Sequence, residues 1–186
     1  LGRTAFQNKY GIAKQLLWKW HIDSGMSRSI ADVTGKPVYS SDAKGALVLN
    51  SYDTIGRPKN LWAVDGPSIG TSIIGAPPPI IDGFQNTTLR QHIIYGDEPG
   101  ASGVNLLGKP WQTYDEAGLT EIVNCDFKGN VTEKIRYVIK DDEILTAFDG
   151  IGNTGIKCYR VDWTGLDESI LDDKEYRTTT VYDALN

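Results

Sequence analysis

Apolar and polar residues alternate with a period of two along five stretches of the chain. In the first stretch, Leu16, Trp18 and Trp20 alternate with Lys19 and His21. A period of two, together with an enrichment in β-branched and aromatic residues, predicts β-strands. The five stretches are residues 16–22, 47–50, 119–125, 134–139 and 176–182. The pattern therefore predicts an all-β chain.

Short connections of the form Asp-x-x-Gly recur between these stretches. The aspartate accepts a backbone N–H two residues on, and the glycine adopts the left-handed conformation that closes the turn. The pairs are Asp32 and Gly35, Asp42 and Gly45, Asp53 and Gly56, Asp97 and Gly100, Asp115 and Gly118, Asp126 and Gly129, Asp149 and Gly152, and Asp162 and Gly165. Asp183 begins a further copy, with Asn186 in the place of glycine. Apart from Asp97, these aspartates are predicted to be structural turn residues of antiparallel β-hairpins that stack side by side.

Two segments interrupt the hairpin pattern. Residues 66–83 are rich in Gly and Pro and contain Pro77, Pro78 and Pro79, which cannot join a central strand, so they predict a long loop. Residues 96–110 predict a second loop, and residues 166–176 are compatible with a short helical turn. We expect residues 1–186 to form a single domain, because the chain is short for two.

Charge and composition narrow the classes of function. The net charge of −5 and the pI near 5.0 argue against nucleic-acid binding, which requires clustered Lys and Arg. No apolar stretch has the length of a membrane span. Cys125 and Cys158, with His21 and His92, do not have the spacing of a zinc site. No metal or cofactor is expected. The two cysteines are either half-buried thiols in strands or, in a secreted chain, a disulfide.

Several blocks of the sequence resemble the YD repeats of Rhs proteins. The blocks are Tyr52-Asp53-x-x-Gly56-Arg57, Tyr114-Asp115-x-Ala117-Gly118 and Tyr182-Asp183-Ala184-Leu185. The segment LLGKPWQTYDEAGLTEIVNCDFKGNVTEKIR (residues 106–136), followed by VDW (161–163) and YRTTTVYDALN (176–186), is similar to large bacterial Rhs and insecticidal toxin-complex proteins of the TcB/TcC-like, SpvB-associated type. Residues 31–58 resemble the same proteins, and the resemblance is weakest over residues 66–83.

The resemblance implies a spiralling sheet of stacked hairpins that belongs to a hollow shell around a toxic polypeptide. The implied partners are neighbouring YD repeats or the enclosed toxin, and the implied location is secreted or at the cell surface. The chain is too short for a full shell, and the self-cleaving aspartyl segment of such shells is not recognisable. We therefore expect a piece of a shell or a short relative, with both ends falling inside repeats. Exposed strand edges would then favour self-association.

No catalytic motif is visible, so we expect a protein without enzymatic activity. The sequence lacks the Gly-x-Ser-x-Gly, His-Glu-x-x-His and P-loop patterns. Acidic runs at residues 141–143 and 167–173 lack the spacing of a calcium loop and are expected to be solvated.

The alternative function is carbohydrate binding, in which aromatic rings exposed on the hairpins stack on sugars. The candidates are Trp62, Trp111, Trp163 and Tyr114, although tryptophans on strands more commonly serve as core and cross-strand pairs. Asn86 and Asn130 lie in glycosylation sequons, which matter only in a eukaryotic secretory route.

Overall fold

The computed structural model describes residues 4–66, 87–103, 105–149 and 159–183. The predicted loop at 66–83, except Gly66, lies outside the described residues, as do Asn86, Cys158, Gly152 and Asn186. The chain divides into two compact units, Leu1–Thr88 and Leu89–Asn186, called here unit 1 and unit 2. The expectation of a single domain stays a prediction.

Unit 1 is a meander of six antiparallel strands, each paired with the next one along the chain. The strands are β1 Phe6–Tyr10, β2 Leu16–His21, β3 Gly25–Ala31, β4 Pro37–Ser41, β5 Leu47–Tyr52 and β6 Pro58–Val64. Directly opposite residues lie on the same face, so Ile30, Tyr39, Leu49 and Trp62 form one apolar row across four strands. Cross-strand rows of this kind stabilise unit 1.

Unit 2 continues the same construction and adds two short helices. Its elements are β7 Thr88–Tyr95, whose first residue is the last one of unit 1, then β8 Pro110–Asp115, β9 Gly118–Cys125, β10 Val131–Val138, the helix α1 Asp141–Asp149, a 3-10 helix Glu168–Ile170 and β11 Tyr176–Thr179. Within this set, β7 pairs with β8, β8 with β9, β9 with β10 and β10 with β11, all antiparallel. The predicted fold class, nearly all-β with stacked antiparallel hairpins, is confirmed.

The helix α1 was not predicted from the sequence. Its first turn contains Asp141, Asp142 and Glu143, for which the sequence predicts a solvated acidic run. All three side chains are exposed, as expected, but they also lie at the end of the helix where negative charge is favourable. The 3-10 helix Glu168–Ile170 falls within residues 166–176, where a helical turn was expected.

The buried apolar core of the described residues lies almost entirely in unit 2. Trp163 and Val161 are the largest side chains that are fully buried. They belong to residues 159–171, a segment called here the strap, which packs on unit 2. The strap contacts β7 through the backbone bond from Trp163 N to Leu89 O, and it contacts the end of β10 through a bridge between Ile139 and Leu171.

Candidate functional site

Four of the Asp-x-x-Gly turns share one geometry. In the first, Asp32 N donates to Lys36 O at 2.8 Å, and Gly35 N donates to Asp32 O at 3.0 Å. Asp32 Oδ1 accepts from Thr34 N and Lys36 N at 2.8 and 2.9 Å. The same bonds occur in the turns that begin at Asp42, Asp53 and Asp126. The four glycines Gly35, Gly45, Gly56 and Gly129 have φ of 86, 83, 85 and 92°.

Hydrogen bonds within these turns hold Asp32 and Asp53 in the ionised form. The hydrogen bond from the Thr34 hydroxyl is the largest cause that lowers the pKa of Asp32. For Asp53, partial burial acts to raise the pKa, but hydrogen bonds from the Arg57 backbone and side chain outweigh it and lower the pKa overall. The carboxylates are therefore engaged in the turn itself.

The sites that begin at Asp115 and Asp162 depart from this geometry. Asp115 and Gly118 pair directly, so their hairpin has only two loop residues, and Gly118 has φ of 130°. Asp162 does not close a hairpin: its Oδ1 accepts from Leu89 N at 3.0 Å, and Leu166 takes the positive φ of 46°. Asp149 ends α1. For Asp149 and Asp183, the rest of the predicted turn lies outside the described ranges.

In each unit, one lysine side chain connects two successive turns on the same side of the sheet. Lys36, at the end of the turn between β3 and β4, donates from Nζ to Gly56 O at 2.7 Å in the turn between β5 and β6. In unit 2, Lys109 Nζ donates to Gly129 O in the same way, again across 20 residues. Each of these contacts, called here a lysine latch, uses a carbonyl that the glycine turn leaves accessible. The latches fix the distance between alternate turns.

Replacing Lys36 with methionine is expected to lower the free energy of unfolding of unit 1 by about 1 kcal/mol, because a charged hydrogen bond is lost while the aliphatic stem is retained. Chemical denaturation followed by circular dichroism measures the change. Lys44→Met is the matched control, since Lys44 lies in the turn between β4 and β5 and makes no latch. Equal losses in the two variants would show that the latch contributes nothing specific.

The strap covers a polar and aromatic cluster on unit 2. The rings of Trp163 and Tyr114 meet edge to face at 5.1 Å between centroids, and Trp163 Nε1 donates to Asp115 O at 3.0 Å. The Tyr114 hydroxyl donates to Glu168 Oε1 at 2.6 Å. Burial raises the pKa of Tyr114, and the hydrogen bond and negative charge of Glu168 raise it further. Tyr114 therefore remains a neutral donor that holds the strap in place.

Two ion pairs stand at the hairpin between β8 and β9. Arg136 contacts both carboxylate oxygens of Asp115, at 2.5 and 2.9 Å, and Arg90 Nη1 lies 2.7 Å from Glu116 Oε1. Partial burial acts to raise the pKa of Asp115, but the hydrogen bonds and charge of Arg136 outweigh it, so this pKa is lowered. The hairpin that accepts the hydrogen bond from Trp163 is thus held by Arg136 of β10 and by Arg90 of β7.

Because the pKa of Asp115 is lower in the folded than in the unfolded chain, its stabilising effect is complete above the unfolded value near 3.8. The effect is lost as the pH falls below that value towards the folded pKa. We expect urea denaturation between pH 2.5 and 7 to show a shallower acid loss of stability for Asp115→Asn than for the wild type. Asp173→Asn, in the same unit, serves as control. Parallel curves for all three proteins would contradict this account of Asp115.

The structure places the four glycan-binding candidates in different environments. Tyr114 and Trp163 are buried, with 2% and 0% of their surface exposed, so neither offers a ring face to a sugar. This corrects their assignment as stacking residues: they form the core contact under the strap. Trp62 and Trp111 are half-buried on β6 and β8.

Asn130, in one of the two sequons, belongs to the turn that begins at Asp126. The side-chain nitrogen of Asn130 donates to Asp126 Oδ2 at 2.9 Å. Cys125 is buried with a free thiol. Within the described ranges, no group of three or more His, Cys, Asp or Glu side chains is arranged to hold a metal. None of the helices in these ranges is long and apolar enough to cross a bilayer.

Sequence reasoning missed the residues that connect distant parts of the chain. Lys36 and Lys109 both follow the glycine of a turn. A Gly-Lys dipeptide whose lysine lies 20 residues before the second turn glycine downstream is the signal that identifies them. Arg136 and Glu168 carry no local signal, since their partners lie 21 and 54 residues away.

Parts of solved structures of toxin-complex proteins have the same fold as this chain. The crystal structure of TcdB2-TccC3 matches with a TM-score of 0.67 at 18% identity, over 98% of this chain and 8% of that chain. The crystal structure of TcdB2-TccC3-Cdc42 matches with a TM-score of 0.68 at 19% identity, over the same shares of the two chains. The Photorhabdus luminescens Tc holotoxin pore with the mutation TccC3-D651A matches with a TM-score of 0.64 at 18% identity, over 97% and 7%.

No family model and no curated protein sequence matches the chain. The structural likeness confirms, at the level of the fold, the resemblance to toxin-complex proteins read from the YD blocks. The chain has the fold of a structural segment of such proteins, and it spans about 8% of the length of the solved chains it matches.

Proposed function

We propose that this chain is a section of the wall of an Rhs or toxin-complex-like shell, and that the shell contains or presents a toxin polypeptide. The observation that carries the proposal is the series of hairpins closed by the same turn. Such hairpins form a sheet that extends sideways without limit, because each new hairpin pairs with the last strand of the one before. The likeness of nearly the whole chain to a short part of TcdB2-TccC3 supports this role.

The outer strands of the described sheets support a role within a larger assembly. In the described part of the chain, β1 pairs only with β2, and β11 pairs only with β10. All residues of these two strands are exposed. An outer strand presents unpaired N–H and C=O groups that accept a further strand. Neighbouring YD repeats are the proposed partners at these edges.

A wall section acts by shape, so we propose that the chain itself catalyses no reaction. The turn aspartates support this view, since their carboxylates accept hydrogen bonds from their own turns. Screens for glycosidase, esterase and protease turnover are expected to be blank. A reproducible turnover that one Asp or Glu substitution removes, with the fold intact, would overturn this part of the proposal. Secretion or display at the cell surface is the location that fits the proposed role.

Protease protection tests the proposed containment. The experiment uses the encoded polypeptide that carries this chain, and compares the wild type with Gly118→Ala, in which a hairpin of the wall is disrupted. The wild type is expected to retain a protease-resistant segment outside residues 1–186, and the variant is expected to lose it. Gly100→Ala is the control that keeps the protection. Equal digestion of every segment in the wild type would contradict containment.

A further inference from the structure

The turns on one side of unit 1 carry exposed aliphatic side chains. Consecutive strands are antiparallel, so the turns that follow β1, β3 and β5 lie on the same side of the sheet. Each of them presents one aliphatic residue to solvent: Ile12 and Val33 are fully exposed, and Ile55 is 72% exposed. The turns on the opposite side, after β2 and β4, present mainly polar residues, and their one large apolar side chain, Ile22, is 48% exposed. The most exposed apolar tips therefore lie on one side, called here the unit 1 rim.

The unit 1 rim has a fixed repeat distance. Neighbouring strands lie 4.7–4.9 Å apart, so alternate turns are separated by about 10 Å. The latch from Lys36 to Gly56 O holds two of these turns at that separation. Three tips in a row leave two gaps, each bounded by aliphatic side chains.

Unit 2 has a matching rim with two apolar tips. The turns that follow β7 and β9 lie on one side of its sheet, and they present Leu107 and Phe127, which are 82% and 89% exposed. The latch from Lys109 to Gly129 O holds these two turns together. Two tips at the spacing of alternate turns match the two gaps of the unit 1 rim.

The two rims differ in charge. Counted with two flanking residues on each side of every turn, the unit 1 rim contains five basic residues and two acidic ones, which are Lys9, Lys14, Lys36, Arg57, Lys59, Asp32 and Asp53. The unit 2 rim, counted in the same way, contains two basic residues and three acidic ones, which are Lys109, Lys128, Asp97, Glu98 and Asp126. Opposite net charges favour contact between a unit 1 rim and a unit 2 rim over contact between two unit 1 rims.

We propose that the unit 1 rim binds the unit 2 rim of a second copy of this chain. Leu107 and Phe127 of one copy enter the gaps between Ile12, Val33 and Ile55 of the other. Each contact joins different surfaces of the two copies, and each copy still has its other rim available. Five side chains bury much less than the roughly 1,200 Å² of a stable interface, so the association is weak and depends on concentration.

Sedimentation equilibrium of the 186-residue chain from 10 µM to 1 mM tests the proposal. Val33→Ser removes one apolar tip from the unit 1 rim, and Phe127→Ser removes one from the unit 2 rim; each is expected to weaken association at least fivefold. Because each variant keeps intact the rim that the other alters, an equimolar mixture is expected to regain association and to stop at the dimer. Both side chains are exposed, so their replacement leaves the core intact. Ile55→Ser and Leu107→Ser provide a second pair with the same expectation.

Controls separate this contact from the alternatives. Ala43→Ser, on the opposite side of unit 1, is expected to associate like the wild type, and added salt is expected to weaken the wild-type contact. A mixture that does not regain association would overturn the proposal. Weaker association of Val33→Ser with unchanged association of Phe127→Ser would also overturn it, because the unit 1 rim would then bind itself or another surface. Association that survives both variants and is lost in Asn8→Pro indicates pairing through the edge of β1 and would also overturn the proposal.

Discussion

Trp163→Ala is expected to lower the free energy of unfolding of unit 2 by about 3–5 kcal/mol. The indole is completely buried, packs edge to face on Tyr114 and donates to Asp115 O, so its removal leaves a cavity under the strap and removes that hydrogen bond. Chemical denaturation measures the loss. The strap should also become sensitive to protease, because its main anchor is gone.

Trp163→Phe is the matched control for that substitution. Phenylalanine retains most of the apolar volume and loses only the Nε1 donor, so we expect a loss of about 1–2 kcal/mol. If alanine and phenylalanine cost the same, the hydrogen bond to Asp115 would be the main contribution and the packing argument would fail. A loss of less than 1 kcal/mol for alanine would mean that the strap is not anchored by Trp163.

Gly118→Ala is expected to destabilise unit 2 by about 3–5 kcal/mol. Gly118 has φ of 130°, and an added Cβ would lie 2.2 Å from Tyr137 O, a backbone atom of β10 that cannot move aside. Both the local conformation and the pairing of β9 with β10 must therefore change. Thermal and urea denaturation of the purified variant measure the effect.

Gly100→Ala isolates the conformational part of this effect. Gly100 also lies in unit 2 and has φ of 88°, but no atom lies within 4 Å of an added Cβ. We expect this variant to lose about 1 kcal/mol, the ordinary result of placing alanine at positive φ. Similar losses in Gly100→Ala and Gly118→Ala would contradict the close approach of Tyr137 to the hairpin.

The local features of this fold are readable from the sequence. The alternation that begins at Leu16 predicts β2, and the alternation after Gly118 predicts β9. The Asp-x-x-Gly turns are readable for the same reason, since the aspartate bonds within its own turn. The helix α1 was missed because the alternation of β10 extends to its border, and the acidic residues Asp141 and Asp142 are equally compatible with a solvated loop.

The contacts between distant residues were not predictable. Trp163 is an ordinary strand tryptophan in the sequence, and its role depends on Asp115 and Tyr114, which lie 48 and 49 residues earlier. Glu168 stands in an acidic run, and only the folded chain brings it to the hydroxyl of Tyr114. The contacts of these residues depend on tertiary packing and not on the local sequence pattern.

The measurement that tests the central claim most directly is a cryo-electron microscopy map of the encoded polypeptide that carries this chain. The proposed function predicts that the strands β1 to β11 lie in the wall of a hollow β-shell, with further strands paired to β1 and β11 and with density for an enclosed polypeptide. A solid domain with no internal space, in which the outer edges of β1 and β11 face solvent, would contradict the account.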